Sequence, residues 1–211
     1  MTILNRLSSQ LDRSDEQPNI ELAEELVRNH NLEGVQEIID NLANKDKKIK
    51  HDCIKVAYEI GKLQPELISQ NALIFIELLK SKDNRLIWGA IQALSTIALE
   101  VPEILIEHLH DIKLAMKIGS VITVDKGVIT LAKLASVNNE YNQQIFSYLI
   151  DHLKSCRTKE VPQHAESISI AVSADNKDAF LQVVQEREPY FTEPQRTRIK
   201  KLIKSLEGAT R

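Results

Sequence analysis

The feature that most restricts how this chain can fold is an internal repeat of 37 residues. The triplets Pro65-Glu66-Leu67 and Pro102-Glu103-Ile104 stand one period apart, and the next period brings Asn139-Glu140-Tyr141. A proline suits the first turn of a helix, where its missing N–H costs nothing. Ahead of the triplets, Ala57, Leu94, Leu131 and Ile168 form one column, and Ile60, Ile97, Leu134 and Ala171 another. Small residues keep step: Gly61, Ala98 and Ala135, and Cys53, Ala90 and Gly127. After the triplets, Val35, Ala72, Leu109, Phe146 and Val183 align, as do Ile38, Phe75, Ile112 and Leu149, and Leu42, Leu79, Met116 and Leu153. Offsets of three, four and seven within each set trace one helical face. Each repeat therefore reads as helix, tight turn, helix.

Helix-start chemistry marks the joints. Asp46, Asp83 and Ser120 share a column just before each first helix, where a side-chain oxygen caps free N–H groups. Lys80, Lys117 and Lys154 share one at the end of each second helix, opposite the negative end of the helix dipole. The expected layout has a leading helix near residues 2–12 and repeats near 14–44, 46–81, 83–119, 120–156 and 158–188. A last helix follows near 194–207. The fold class is all-α, with about five helix-pair repeats and terminal capping helices. A single domain is expected over 1–211, made of an N-terminal cap helix (1–13), the repeats (14–188) and a basic C-terminal cap helix (189–211). A stack of repeats needs such end units, each with one polar face.

Composition narrows the function classes. The net charge of −3 is unevenly spread: residues 1–44 hold three basic residues against nine acidic, and residues 190–211 hold six basic against two acidic. That polarity makes a salt-sensitive head-to-tail self-association an expectation. A general nucleic-acid binder is basic overall or along one face, and only the last helix fits. Two cysteines, neither in a CxxC, make no disulfide framework. With no signal-peptide pattern and no apolar run of membrane-spanning length, a cytoplasmic location with no membrane partner is expected. None of the six glycines builds a phosphate-cradling loop, so nucleotide hydrolysis has no support.

The segment DNRLIWGAIQALSTIALEVPEILIEHL, residues 83–109, resembles a HEAT repeat. Asp83, Ile87, Ala90, Ala93, Leu94, Ile97 and Ala98 stand where that family's first helix has its aspartate and its small or aliphatic core, and Pro102 stands at the second helix. The resemblance covers residues 46–156 best. The arginine usual after the apolar position is absent: Trp88 stands there, with His51 and Asp125 in the neighbouring repeats. Stacking is therefore expected to rest more on apolar packing than on an Asp–Arg ladder. The resemblance implies a right-handed α-α superhelix, a HEAT-like, armadillo-related solenoid whose second helices line a concave face. It also implies a role in holding proteins or peptides, although a fold alone does not settle function.

On the second helices Leu73, Ile74 and Leu78 exceed what a narrow core stripe needs, and Glu77, Asp111, Tyr148 and Asp151 flank the core columns. These seven residues are the expected contacts of a non-enzymatic scaffold or adaptor for a protein or peptide partner with apolar anchors and basic flanks. The alternative is a nucleic-acid-binding protein, resembling the HEAT-like DNA-repair glycosylases, that uses Lys45, Lys48, Lys82, Arg85 and Trp88. No cofactor and no metal site are expected. Glu107, His110 and Asp111 share one helical face at i, i+3 and i+4, with His108 pointing elsewhere, but no second cluster at ligand spacing completes a set. Cys53 reads as a small core side chain. Cys156 reads as a surface thiol beside Arg157, whose charge would lower its pKa.

Overall fold

The computed structural model describes residues 2–208, so the outermost positions of both expected caps, Arg211 among them, lie outside the described residues. Every regular element among the described residues is helical. The chain forms two compact units, Met1–Gly127 and Val128–Arg211.

In the first unit the leading helix is replaced by two 3-10 turns, Leu4–Arg6 and Ser8–Leu11. The cause lies in the hydrogen bonding: the Ser8 amide donates to Asn19 Oδ1 at 2.9 Å and the Ser9 amide to Asp52 Oδ2 at 2.8 Å. Those N–H groups are thus lost to a helical ladder, and Leu7 between the turns is fully buried. Helices α1 (Gln17–Arg28) and α2 (Leu32–Asp40) make the first pair, with Pro18 in the opening turn of α1. The next first helix is α3 (Lys47–Leu63), followed by α4 (Glu66–Ser69) and α5 (Ala72–Leu78). The third repeat holds α6 (Asn84–Ile97), α7 (Pro102–Glu107) and α8 (Leu109–Ile118). Helix α9 (Val121–Val137) begins in this unit.

The expected caps form. Asp46 accepts from the Lys48 amide at 2.7 Å and Asp83 from the Arg85 amide at 3.0 Å. The second helices, however, are not single. Both break, at Asn71 (φ −98°, ψ 15°) and at His108 (φ −104°, ψ 20°), which are one 37-residue period apart. One period further stands Ile145, fully buried within an unbroken helix. The break therefore follows the polar side chains in that column and is absent where an apolar one is buried.

Burial follows the predicted columns. Ala57, Ile60, Leu94, Ile97, Ile38, Phe75 and Ile112 are fully buried, with α3 packed between α1 and α6 and with α5 against α6. Glycine permits the closest approach. A Cβ added at Gly89 would lie 2.2 Å from Cγ1 of Ile54, so α6 and α3 meet there with no room for a side chain.

The second unit holds α10 (Asn139–Ser155), α11 (Val161–Ile168), α12 (Lys177–Arg187) and α13 (Glu193–Gly208), linked by 3-10 turns. Leu131, Leu149, Leu153, Val161, Ile168 and Phe180 are fully buried there. Asn142 Nδ2 donates to the carbonyls of Ala135 (3.0 Å) and Ala171 (2.8 Å), and accepts at Oδ1 from Asn176 at 2.9 Å, tying α9, α10 and the start of α12 together. The basic helix α13 packs on α11 through Ile199 and Leu202, and Arg198 is ion-paired with Glu166.

Candidate functional site

Helix α5 is short and carries one charge in seven residues. Ala72, Phe75, Ile76 and the following Leu79 are buried and anchor it. Leu73 and Ile74 face out, 57% and 40% exposed, and Leu78 is half-buried. Helix α8 adds exposed Leu114 and Ile118, and the first turn of α9 adds exposed Val121 and Ile122. Single exposed apolar residues are ordinary. Leu73, Ile74, Leu114 and Ile118, on the consecutive second helices α5 and α8, make a candidate interaction surface.

The acidic flank is partly neutralised within the molecule. Lys80 Nζ lies 3.2 Å from Glu77 and 3.7 Å from Asp111, linking the end of α5 to α8. The lysine column thus serves ion pairs as well as helix ends, since Lys154 likewise reaches Asp151 at 3.1 Å. Of the seven expected contacts, Leu73, Ile74, Glu77, Leu78 and Asp111 lie in the first unit. Tyr148, half-buried with its phenol pKa raised by burial, and exposed Asp151 lie on α10 of the second.

Of the residues of the nucleic-acid alternative, Arg85 lines one groove with Trp88 and another with Lys48. Lys45, Lys48 and Lys82 are exposed, whereas Arg85 is ion-paired to Glu16 at 2.8 Å. Trp88 is half-buried and lines a groove of about 510 Å³ on the first-helix side of the first unit, with Tyr58, Gln92 and Ile122. Glu16 closes one edge of that groove through Arg85 and through Lys55 at 3.0 Å. Burial pulls the Lys55 ammonium pKa down, but its hydrogen bonds with Glu59, Tyr58 and Glu16 outweigh this and raise it, so the charge is retained.

A polar link between repeats forms here without the arginine. His51, in the column where the family has arginine, places Nε2 2.8 Å from Oδ2 of Asp83 in the next repeat. Lys47 approaches the same oxygen at 3.3 Å. Burial alone would push the Asp83 carboxyl up, yet the bonds from His51, the Arg85 amide and Lys47 hold it at about 2.

Two further expectations change. The break at His108 removes the continuous face through Glu107, His110 and Asp111, and it is His108 Nδ1, not His110, that lies 3.3 Å from Asp111. Cys156 is half-buried, and burial raises its thiol to about 11 despite the opposing charge of Arg187. Cys53 is fully buried as expected. The second unit also brings His152, Cys156 and His164 together, a set missed because His164 follows Cys156 only after a turn and a new helix start, outside any fixed-period pattern.

No protein-family profile and no curated protein sequence matches the chain. Solved structures do. A computationally designed armadillo repeat protein for modular peptide recognition aligns with a TM-score of 0.70 at 15% identity, over 95% of this chain and 97% of that one. A designed armadillo repeat protein in complex with the peptide (KR)4 aligns with a TM-score of 0.69 at 16% identity, over 97% and 99%. Kap121p bound to Pho4p aligns with a TM-score of 0.65 at 13% identity, over 94% of this chain but 22% of that one. The fold is thus a HEAT/armadillo-like α-solenoid.

Proposed function

We propose that this chain is a non-enzymatic scaffold that takes up a protein or peptide partner on its second-helix face, around Leu73 and Ile74. The observation that carries the reading is the pair itself: two adjacent large aliphatic side chains on a helix already anchored by four buried neighbours. With Leu73 57% and Ile74 40% exposed, completing their burial is worth roughly 1 kcal/mol apiece, which a partner would recover. Exposed Glu77 beside them favours a partner with apolar anchors and basic flanks. Solenoids of the same fold whose structures contain a peptide or another protein support the same class of ligand. Among the described residues no helix is long and apolar enough to cross a membrane, which is consistent with a partner met in water.

The test is a comparison of captured partners between the wild type and Ile74→Glu, with Leu99→Glu, at another exposed aliphatic position, as control. A bound protein that is depleted about tenfold by Ile74→Glu and kept by Leu99→Glu supports the reading. Identical recovery by all three proteins removes this surface from consideration.

A further inference from the structure

We propose that His152, Cys156 and His164 form a binding site for a zinc-class divalent transition-metal ion in the second unit. Their ligand atoms, two imidazole nitrogens and one sulfur, all lie within 4.8 Å of one another. His152 is in the last turn of α10 and Cys156 is the residue that ends it, so they share a face at i, i+4. The 3-10 turn Thr158–Glu160 then reverses the chain, and α11 returns fully buried His164 to the same place.

The two rings already meet. His152 Nε2 and His164 Nδ1 are 2.9 Å apart, with ring centroids at 4.8 Å. In such a bond one nitrogen donates while the other directs its lone pair inward, the form in which imidazole ligates a metal. Zinc–nitrogen bonds of roughly 2.0–2.1 Å in a tetrahedron place two nitrogens about 3.3 Å apart. The rings therefore need to part by only a few tenths of an ångström, while the donor ring gives its shared proton to solvent and takes one up on its other nitrogen, so that two neutral imidazoles present lone pairs to the metal. Sulfur at roughly 2.3 Å from the ion closes the third corner after an inward movement of the Cys156 side chain. The thiol proton leaves to solvent as the sulfur binds.

Ligand chemistry selects the ion. Two imidazoles and a thiolate suit zinc and its neighbours and disfavour magnesium or calcium, which take oxygen. The surrounding charge is mixed. Glu160, whose charge acts on both Cys156 and His164, sits beside the trio and is paired with Arg157. Arg187 approaches from α12 and donates to the carbonyls of Leu153, Lys154 and Cys156. Three protein ligands leave one position for water or an incoming group.

The test uses the full chain, reduced and stripped with chelator, titrated with Co²⁺ as a spectroscopic stand-in and then with Zn²⁺. One Co²⁺ per chain, a thiolate-to-cobalt charge-transfer band and its loss on adding Zn²⁺ are expected. Cys156→Ser, at a half-buried position and with an intact helical circular-dichroism spectrum, should abolish the band and weaken zinc binding at least tenfold. His152→Gln should weaken binding by a similar factor and keep the sulfur band at saturation. The proposal is overturned if saturating Co²⁺ gives the wild type no charge-transfer band, or if the zinc isotherm is unchanged by Cys156→Ser.

Discussion

The imidazole of His51 donates from Nε2 to Oδ2 of Asp83 at 2.8 Å, joining two consecutive first helices across one repeat. The same carboxylate caps α6 through its other oxygen. Asp83 is therefore both a helix cap and an inter-repeat link, and its charge is central to both.

That dual role sets a pH dependence. The folded Asp83 carboxyl sits at about 2 against an ordinary 3.8, so the folded state binds its proton less readily than the unfolded one. The resulting stability is fully present above about pH 4 and is lost as the pH falls through 2. With the side chain 19% exposed, solvent screening trims the contribution to about 1–2 kcal/mol. Asp83→Asn keeps a capping oxygen and removes the charge. Denaturant melts should show it about 1–2 kcal/mol less stable than the wild type at pH 7, with the gap closing between pH 4 and pH 2. A constant gap across that range would show that charge is not the cause.

Gly89 gives a second prediction. Alanine raises helix propensity by roughly 1 kcal/mol over glycine, but here its Cβ would lie 2.2 Å from Cγ1 and 3.0 Å from Cγ2 of Ile54. A β-branched side chain cannot swing aside cheaply, so α3 and α6 must separate. Overpacking of this kind costs about 1–3 kcal/mol. Gly89→Ala should lower the unfolding free energy by about 1 kcal/mol, and in an Ile54→Ala background, where both γ carbons that meet the new Cβ are gone, the same substitution should cost nothing. A stabilised single variant would show that the helices part without cost.

The buried polar network at the N-terminus gives a third. Fully buried Asn19 accepts from the Ser8 amide and donates to Asp52 Oδ1 at 2.8 Å, while Asp52 accepts from the Ser9 amide. Asn19→Ala leaves an amide and a carboxylate oxygen without these partners, at a cost of about 2–3 kcal/mol. The first consequence should be local. Amide exchange over residues 8–11 should accelerate well before that of α6, because the Ser8 and Ser9 amides that open the second turn are bound by this network, whereas the first turn is also tied by Arg6 to Glu25. Uniform acceleration across the chain would contradict that order.

The sequence made the repeat units legible because every first helix carries the same buried column, so Ala57 and Leu94 report on each other. The caps at Asp46 and Asp83 were legible for the same reason. The break at Asn71 and His108 lay in the same periodicity, as a polar column within an apolar face. The N-terminal turns were not legible, since they depend on Asn19 and Asp52, residues 11 and 43 positions from the amides they bind. His51 sat in the right column, but an imidazole in place of a guanidinium did not read as a donor to Asp83. The exposed pair Leu73 and Ile74 was legible as an excess over one helical stripe. The cluster at His152 was not, because spacing within one helix cannot report a ligand supplied by the next.

Arg187 shows how a departure from the repeat acquires a structural cause. Buried Ile150 stands one period before it, and the Arg187 guanidinium instead donates to the Leu153 carbonyl at 3.3 Å, the Cys156 carbonyl at 2.7 Å and the Lys154 carbonyl. These are among the last carbonyls of α10, which have no partner in the helix itself. A planar fork with several donors satisfies them together, whereas an ammonium satisfies them one at a time. Arg187→Ala should therefore cost about 2 kcal/mol, near the value of a single hydrogen bond from a charged donor. Arg187→Lys should recover less than half of it. Thermal melts of both variants, together with amide exchange at Cys156, would check the order. Equal stability of the lysine variant and the wild type would show that positive charge at the end of α10, rather than the geometry of the guanidinium, is what matters there.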